Sequence, residues 1–264
     1  ITQIAPIAPI IRAINILRFI LCPKRRYPNS PLINGAIVNS TDKDIADEVV
    51  NFKEQNELDV YLFIWDEGNQ EEIDFVIEML KPVKWLVEKN ETYAHEFFDA
   101  EERIAKKNPK DLMVNDRNHV TLSMHFARRK AFELIDKEYD NIVFSRYDTH
   151  LYPFKLNNLA GDYSNMVITP TNEQYGMVSD IFAIVPWKYA DKYFFYPRAE
   201  EIMSKRFSEK TKEWLSIKFF WENGQRDIML HDEKRYCPHM LCMRNFFETD
   251  TPYIAIDLPV YIKR

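Results

Sequence analysis

The chain has 264 residues, 46% of them hydrophobic and 29% charged, with a formal net charge of -6. That length accommodates a sizeable core in one large domain or two small ones, and the acidic balance argues against a nucleic-acid binder, whose affinity rests on neutralising phosphates. Gly35, Gly68, Gly161, Gly176 and Gly224 are the five glycines, none closer than fifteen residues to the next. This spacing disfavours Walker A loops, G-x-G-x-x-G fingerprints and nucleophile elbows, all of which need clustered glycines. A nucleotide bound here would need a metal ion or an arginine at its diphosphate instead.

The run Ile4 to Leu21 is apolar but carries Arg12 and Arg18, with Pro6 and Pro9 in its first turn. It is too short and too charged to span a membrane. It is expected to be an amphipathic helix, packed on the domain or lying on a membrane surface with Lys24-Arg25-Arg26. A proline-rich connector, Pro23 to Pro31, then leads from this 1–31 extension into a single 32–264 domain.

Within the domain, apolar runs and helical patterns alternate. Ile33 to Asn39 reads as a first strand, Asp42 to Gln55 as a helix behind the Ser40/Thr41 cap, and Leu58 to Trp65 as a buried strand closed by Asp66-Glu67-Gly68. Gln70 to Leu80 reads as a helix, Val83 to Val87 as a strand, and Asn118 to Lys137 as a long amphipathic helix after a polar stretch. Strands follow at Asn141 to Ser145, Asn165 to Thr169 and Ser179 to Val185. Trp187 to Tyr196, Ala199 to Trp221 and Asp227 to Phe247 read as helical, and Tyr253 to Ile262 as extended. The alternation predicts an α/β fold with a mainly parallel sheet flanked by helices. Its ligand site is then expected beyond the carboxyl ends of the strands, where Ser40, Thr41, Asp66, Arg146, Asp148 and Asp180 would share one rim.

Val143-Phe144-Ser145-Arg146-Tyr147-Asp148 carries the chemistry. A carboxylate just past an apolar strand can hold a hard divalent ion, Mg²⁺ or Mn²⁺, when a diphosphate supplies further oxygens. Arg146 and Asp148 alternate and can share one side of the strand, which equally permits a plain ion pair capping the strand. Arg146, with Lys43 as a further cation, can stabilise a departing diphosphate. Tyr147, Tyr175, Trp187 and Trp221 are aromatics that either stack on a sugar or base or fill the core. Cys22, Cys237 and Cys242 form no disulfide framework, which points to a reducing, cytoplasmic compartment or simply buried thiols. His231-x5-Cys237-x-His239-x2-Cys242 lies in a helical pattern and lacks paired C-x-x-C knuckles, so zinc and buried thiols both stay open.

The block Arg117-Asn118…Leu122-Ser123-Met124…Tyr139 to Asp148 resembles small GT-A-type glycosyltransferases of bacterial surface-polysaccharide loci and of large algal viruses. In those enzymes an R-x-D sequence stands in place of D-x-D. The resemblance implies a GT-A-like, Rossmann-like domain over about residues 33–264 that moves one sugar from a UDP-linked donor to a glycan hydroxyl, with manganese or magnesium as cofactor. Xylose is a candidate sugar, and the host cytoplasm the compartment if the source is viral. It further implies Asp66 on the uracil or ribose, Arg117 and Asn118 near the donor, Asp148 on the metal, His231 at the diphosphate or its metal, and Asp180 as general base of an inverting transfer. Asp232 and Glu233 compete with Asp180 for that role. The chain departs from the relatives at the first strand, where Gly35 and then Lys43 replace G-x-x-R. A metal-dependent nucleotidyltransferase and a non-catalytic glycan-binding module on the same fold are the alternative readings.

Overall fold

A computed structural model describes residues 17–23, 43–66, 68, 70–107, 118–146, 149–152, 154–156, 159, 163, 165–170, 181–204 and 238–262. At 17–23, 43–46, 72, 118, 238–240 and 261–262 the description covers the backbone alone. The elements are β1 (Leu17–Pro23), α1 (Lys43–Asn56), β2 (Leu58–Trp65), α2 (Gln70–Leu80), β3 (Lys84–Glu88), α3 (Asn90–Lys107), α4 (Asn118–Glu133), β4 (Asn141–Arg146) and β5 (Thr149–Leu151). They continue with β6 (Val167–Pro170), β7 (Phe182–Pro186), a 3-10 turn (Trp187–Tyr189), α5 (Ala190–Tyr193), α6 (Tyr196–Met203), α7 (Pro238–Glu248), β8 (Tyr253–Ile256) and β9 (Val260–Ile262). The chain is thus a mixed α/β protein, with a seven-stranded sheet ordered β3-β2-β1-β4-β7-β6-β8 and a two-stranded sheet of β5 and β9.

The sheet departs from the mainly parallel expectation. Four pairings, β1 with β2, β1 with β4, β4 with β7 and β6 with β7, are antiparallel, against two parallel ones. Strands β2, β3, β4, β6 and β8 still run one way, while β1 and β7 run the other. Chain length explains β7: the interval from Pro170 to Phe182 is shorter than the dozen or more residues of a crossover connection, so the strand returns antiparallel.

β1 is a second correction. Leu17 to Leu21 was expected within a helix of the extension and Pro23 at the start of the connector, yet Leu17–Pro23 forms a strand between β2 and β4. LRFILCP is apolar apart from Arg18, and its backbone groups are satisfied by antiparallel partners on both sides, β2 and β4, which is what makes it a strand. The expected strand Ile33 to Asn39 and the rest of the extension lie outside the described residues. Two further differences are local. The polar stretch before α4 contains the eighteen-residue α3, whose Phe97, Ala100 and Ile104 recur at helical spacing and are buried. Tyr253 to Ile262 divides at Asp257–Pro259 into two strands in different sheets.

Every residue of β2 is buried, as a strand covered on both faces requires. Phe63 and Trp65 meet Phe126 of α4, whereas Phe52 of α1 meets Phe154 on the opposite side of the sheet. Asp59 is the polar exception in β2, and it accepts from Lys137 Nζ (3.0 Å) and Tyr139 Oη (2.9 Å), so its burial leaves a satisfied carboxylate. Arg128 of α4 is fully buried, its guanidinium between the rings of Phe144 and Tyr193 at 4.7 and 4.6 Å. Its Nη1 donates to Cys242 Sγ at 3.1 Å, joining α4, β4, α5 and α7. Cys242 is therefore a core thiol, while His231 and Cys237 lie outside the described residues.

In this glycine-poor chain, non-glycine residues turn three helix ends through left-handed backbone: Glu57 (φ 55), Lys81 (φ 46) and Asp250 (φ 47) follow α1, α2 and α7. After α7, Thr251 N donates back to Phe246 O at 2.9 Å, closing the last turn. Among the described residues, no helix is long and apolar enough to cross a membrane.

Candidate functional site

The strands that run together end on one rim. β2 ends at Trp65 and leads to Asp66, β3 ends at Glu88 and β4 at Arg146. Because β7 runs the opposite way, its beginning, not its end, reaches this rim: Phe182 pairs with Ser145, and the Arg146 N–H donates to the Ile181 carbonyl at 2.7 Å. Ile181 and Phe182 therefore lie against Arg146 and Ser145 at the rim end of β4.

Helix direction follows from the same alternation. α2 and α3 begin just past the rim ends of β2 and β3, and α1 and α4 finish just before β2 and β4 begin at the far side. α1 and α2 thus present their N-termini at the rim, whereas α3 leaves it antiparallel to α4: Tyr93 packs on Phe126 at 4.6 Å and Glu101 Oε2 meets His119 Nδ1 at 3.2 Å, so α4 begins beyond the rim beside the later turns of α3. For α4 the offset can be gauged, since Phe126 stacks on Trp65 at 5.8 Å with an interplanar angle of 11°. Asn118 begins the helix eight residues earlier, about 12 Å beyond that level at 1.5 Å per residue. Helix N-termini carry partial positive charge and free N–H groups, which suit an anionic ligand.

Two site residues inferred from sequence have their side chains described, and both lie on this rim. Asp66 is half-buried; its N–H donates to the Glu88 carbonyl at 2.7 Å, and its Oδ1 accepts the N–H of Gly68 at 2.7 Å. Gly68 has φ 92, a left-handed conformation that glycine alone adopts without strain. Arg146 is half-buried and shares a register row with Arg18 of β1 and Phe63 of β2. Lys43 and Asn118 open α1 and α4, with their backbone alone described. Ser40, Thr41, Arg117, Asp148, Asp180, His231, Asp232 and Glu233 lie outside the described residues. Among the described residues, no group of three or more histidines, cysteines and carboxylates is arranged to hold a metal.

Trp187 belongs elsewhere. Its N–H donates to the Asp140 carbonyl at 3.0 Å, at the end of the sheet where β4 begins, and its ring packs on Phe132 at 5.8 Å. It is a packing aromatic at the end opposite the rim. The aromatics that do reach the rim are Trp65 and Tyr93, with rings 5.9 Å apart and both against Phe126. Among the described residues, Trp65 Nε1 is buried without an acceptor. The Tyr93 phenol donates to Glu88 Oε1 at 2.8 Å, and that bond, followed by burial, holds its pKa above the ordinary tyrosine value. The signal for Trp65 was present in the sequence, since it directly precedes Asp66. Tyr93 gave none, because it belongs to the helix that the polar composition concealed.

A separate cleft of about 360 Å³ lies between α3, α4 and α6, with Glu96, Asp99, Arg103, Tyr196 and Glu200 on its walls. Arg103 forks onto Glu200 through Nε (2.9 Å) and Nη2 (2.8 Å), which lowers the glutamate's pKa. Tyr196 is pushed up to about 12 by burial and by the charges of Glu96 and Glu200.

No protein-family profile matches the chain, and comparison with curated proteins and with solved structures finds no match either.

Proposed function

We propose that the chain is a glycosyltransferase of GT-A-like architecture that binds a nucleoside-diphosphate sugar, UDP-linked, across the rim and transfers the sugar to a glycan hydroxyl. The observation that carries this reading is the convergence of Asp66, Arg146 and the N-termini of α1 and α2 on one rim of the sheet. The helix ends and the Arg146 guanidinium favour a diphosphate, and a carboxylate at the end of β2 suits ribose hydroxyls or a base N–H. Among the described residues, Trp65 Nε1 beside them is buried without an acceptor.

In this reading Asp66 takes the nucleoside, Arg117 and Asn118 the donor at the head of α4, and Arg146 the diphosphate, with Ser40, Thr41 and Lys43 at the head of α1. Asp148, with His231 as a second ligand, is assigned to a manganese or magnesium ion, which would neutralise the leaving diphosphate. The acceptor oxygen attacks the anomeric carbon, the bond from that carbon to the diphosphate oxygen breaks, and the acceptor proton passes to Asp180. The transfer is inverting.

A ligand that binds only the folded chain raises its stability by about 2.7 kcal/mol at a hundred times Kd. UDP with Mn²⁺ is expected to raise the melting temperature, and one member of a UDP-sugar panel to be slowly hydrolysed. Absence of any stabilisation by nucleoside diphosphates, with or without metal, would overturn the reading.

A further inference from the structure

We infer that β3 is a self-association edge, through which two copies of this chain join their seven-stranded sheets by antiparallel pairing of β3 with β3. Among the described residues β3 pairs with β2 alone and stands at the end of the sheet, so its outer edge is unpaired. An edge of this kind is normally blunted by charge, proline or a covering element. Here it is flanked by exposed apolar side chains: Trp85 and Val83 are each 50% exposed, and Phe75 of α2 is 42% exposed. Phe75 and Met79 also border a groove of about 430 Å³ with Glu78 and Lys81.

The sequence of β3, Lys84-Trp85-Leu86-Val87-Glu88, identifies the occupant. Paired antiparallel with itself about Leu86, the strand sets Lys84 opposite Glu88 of the second copy, twice by symmetry, and Trp85 opposite Val87. Residues directly opposite on antiparallel strands lie on the same face with Cβ atoms about 4.5–5.5 Å apart, within reach of an ion pair. A twofold contact of this type is self-complementary. Lysine at an edge ordinarily repels a stray strand, but in this register each lysine meets a carboxylate. Glu88 is half-buried, and its Oε1 accepts from Tyr93 at 2.8 Å. Among the described residues Lys84 pairs with Asp136, at 2.6 Å, with both side chains exposed, and such a pair is readily exchanged.

The test is sedimentation of the 264-residue chain from micromolar to several hundred micromolar concentration, with circular dichroism confirming that each variant is folded. The wild-type chain is expected to show a monomer–dimer equilibrium. Lys84→Glu and Glu88→Lys each place like charges opposite one another and should weaken self-association by about tenfold or more. An equimolar mixture of the two restores both ion pairs and should dimerise. Lys192→Glu makes the same charge change on the exposed face of α5, which packs against β7 and α7, and should leave the equilibrium unchanged; if Glu88→Lys does not fold, Lys84→Glu against Lys192→Glu decides. A chain that stays monomeric throughout, including one that associates only with a different protein, overturns the inference. So does a dimer insensitive to Lys84→Glu, or two folded single variants that fail to pair when mixed.

Discussion

The backbone N–H of Arg146, the last residue of β4, donates to the carbonyl of Ile181 at 2.7 Å. That bond joins the end of one strand to the approach of an antiparallel neighbour. It sets two residues of quite different sequence position, Arg146 at the end of β4 and Ile181 just before β7, side by side on the rim.

The first consequence concerns Arg146. A charge-assisted hydrogen bond contributes about 1.5–3 kcal/mol, so Arg146→Ala should raise the Kd for UDP by roughly ten- to a hundredfold. Its melting temperature should stay close to that of the wild type. Titration calorimetry with Mn²⁺ present makes the comparison, and an unchanged Kd removes Arg146 from the diphosphate.

Asp66 holds the turn after β2 through the Gly68 N–H, so alanine would disturb the loop as well as the ligand. Asp66→Asn keeps an oxygen for that bond and removes the charge. It should weaken UDP more than free diphosphate. Equal weakening of the two ligands would deny the nucleoside contact.

Asp180→Asn retains size and removes basicity. As general base, Asp180 should be worth about 10²–10⁴ in turnover, with donor affinity held within about twofold. The anomeric configuration of the product, read by NMR, is an independent check: retention, or near-normal turnover, moves the role to Asp232 or Glu233.

Tyr196 yields a pH prediction. Burial, Glu96 and Glu200 raise its pKa from 10.0 to about 12, so the folded chain favours the neutral phenol. Its contribution is complete below the unfolded value and is lost as pH rises from 10.0 toward about 12. Thermal melts over that window should fall less steeply for Tyr196→Phe than for the wild type. Parallel pH profiles would place the source of alkaline destabilisation elsewhere.

Much of the local structure was written in the sequence by itself. LDVYLFIW is an unbroken apolar run of strand length, and it is β2, buried along its whole length. Val49 and Phe52 in α1, and Leu122, Phe126 and Ala127 in α4, recur at helical spacing and face the core. Asp66 and Arg146 were recognisable as strand-end residues because a charged residue closing an apolar run must lie where the strand leaves the interior. These are local patterns, and side-chain periodicity needs no knowledge of neighbours.

The tertiary structure alone decided direction and pairing. Nothing in Leu17–Pro23 distinguishes an apolar helix on the surface from a strand between β2 and β4; the difference lies in having two partner strands to satisfy its backbone. Likewise Phe182–Pro186 reads as a strand in either direction. The short return from β6 makes it antiparallel and brings its beginning, rather than its end, to Arg146. A pattern of period two specifies which face is buried but not which way the chain runs, so the shared rim of Arg146 and Ile181 emerges only once long-range hydrogen bonds fix the register.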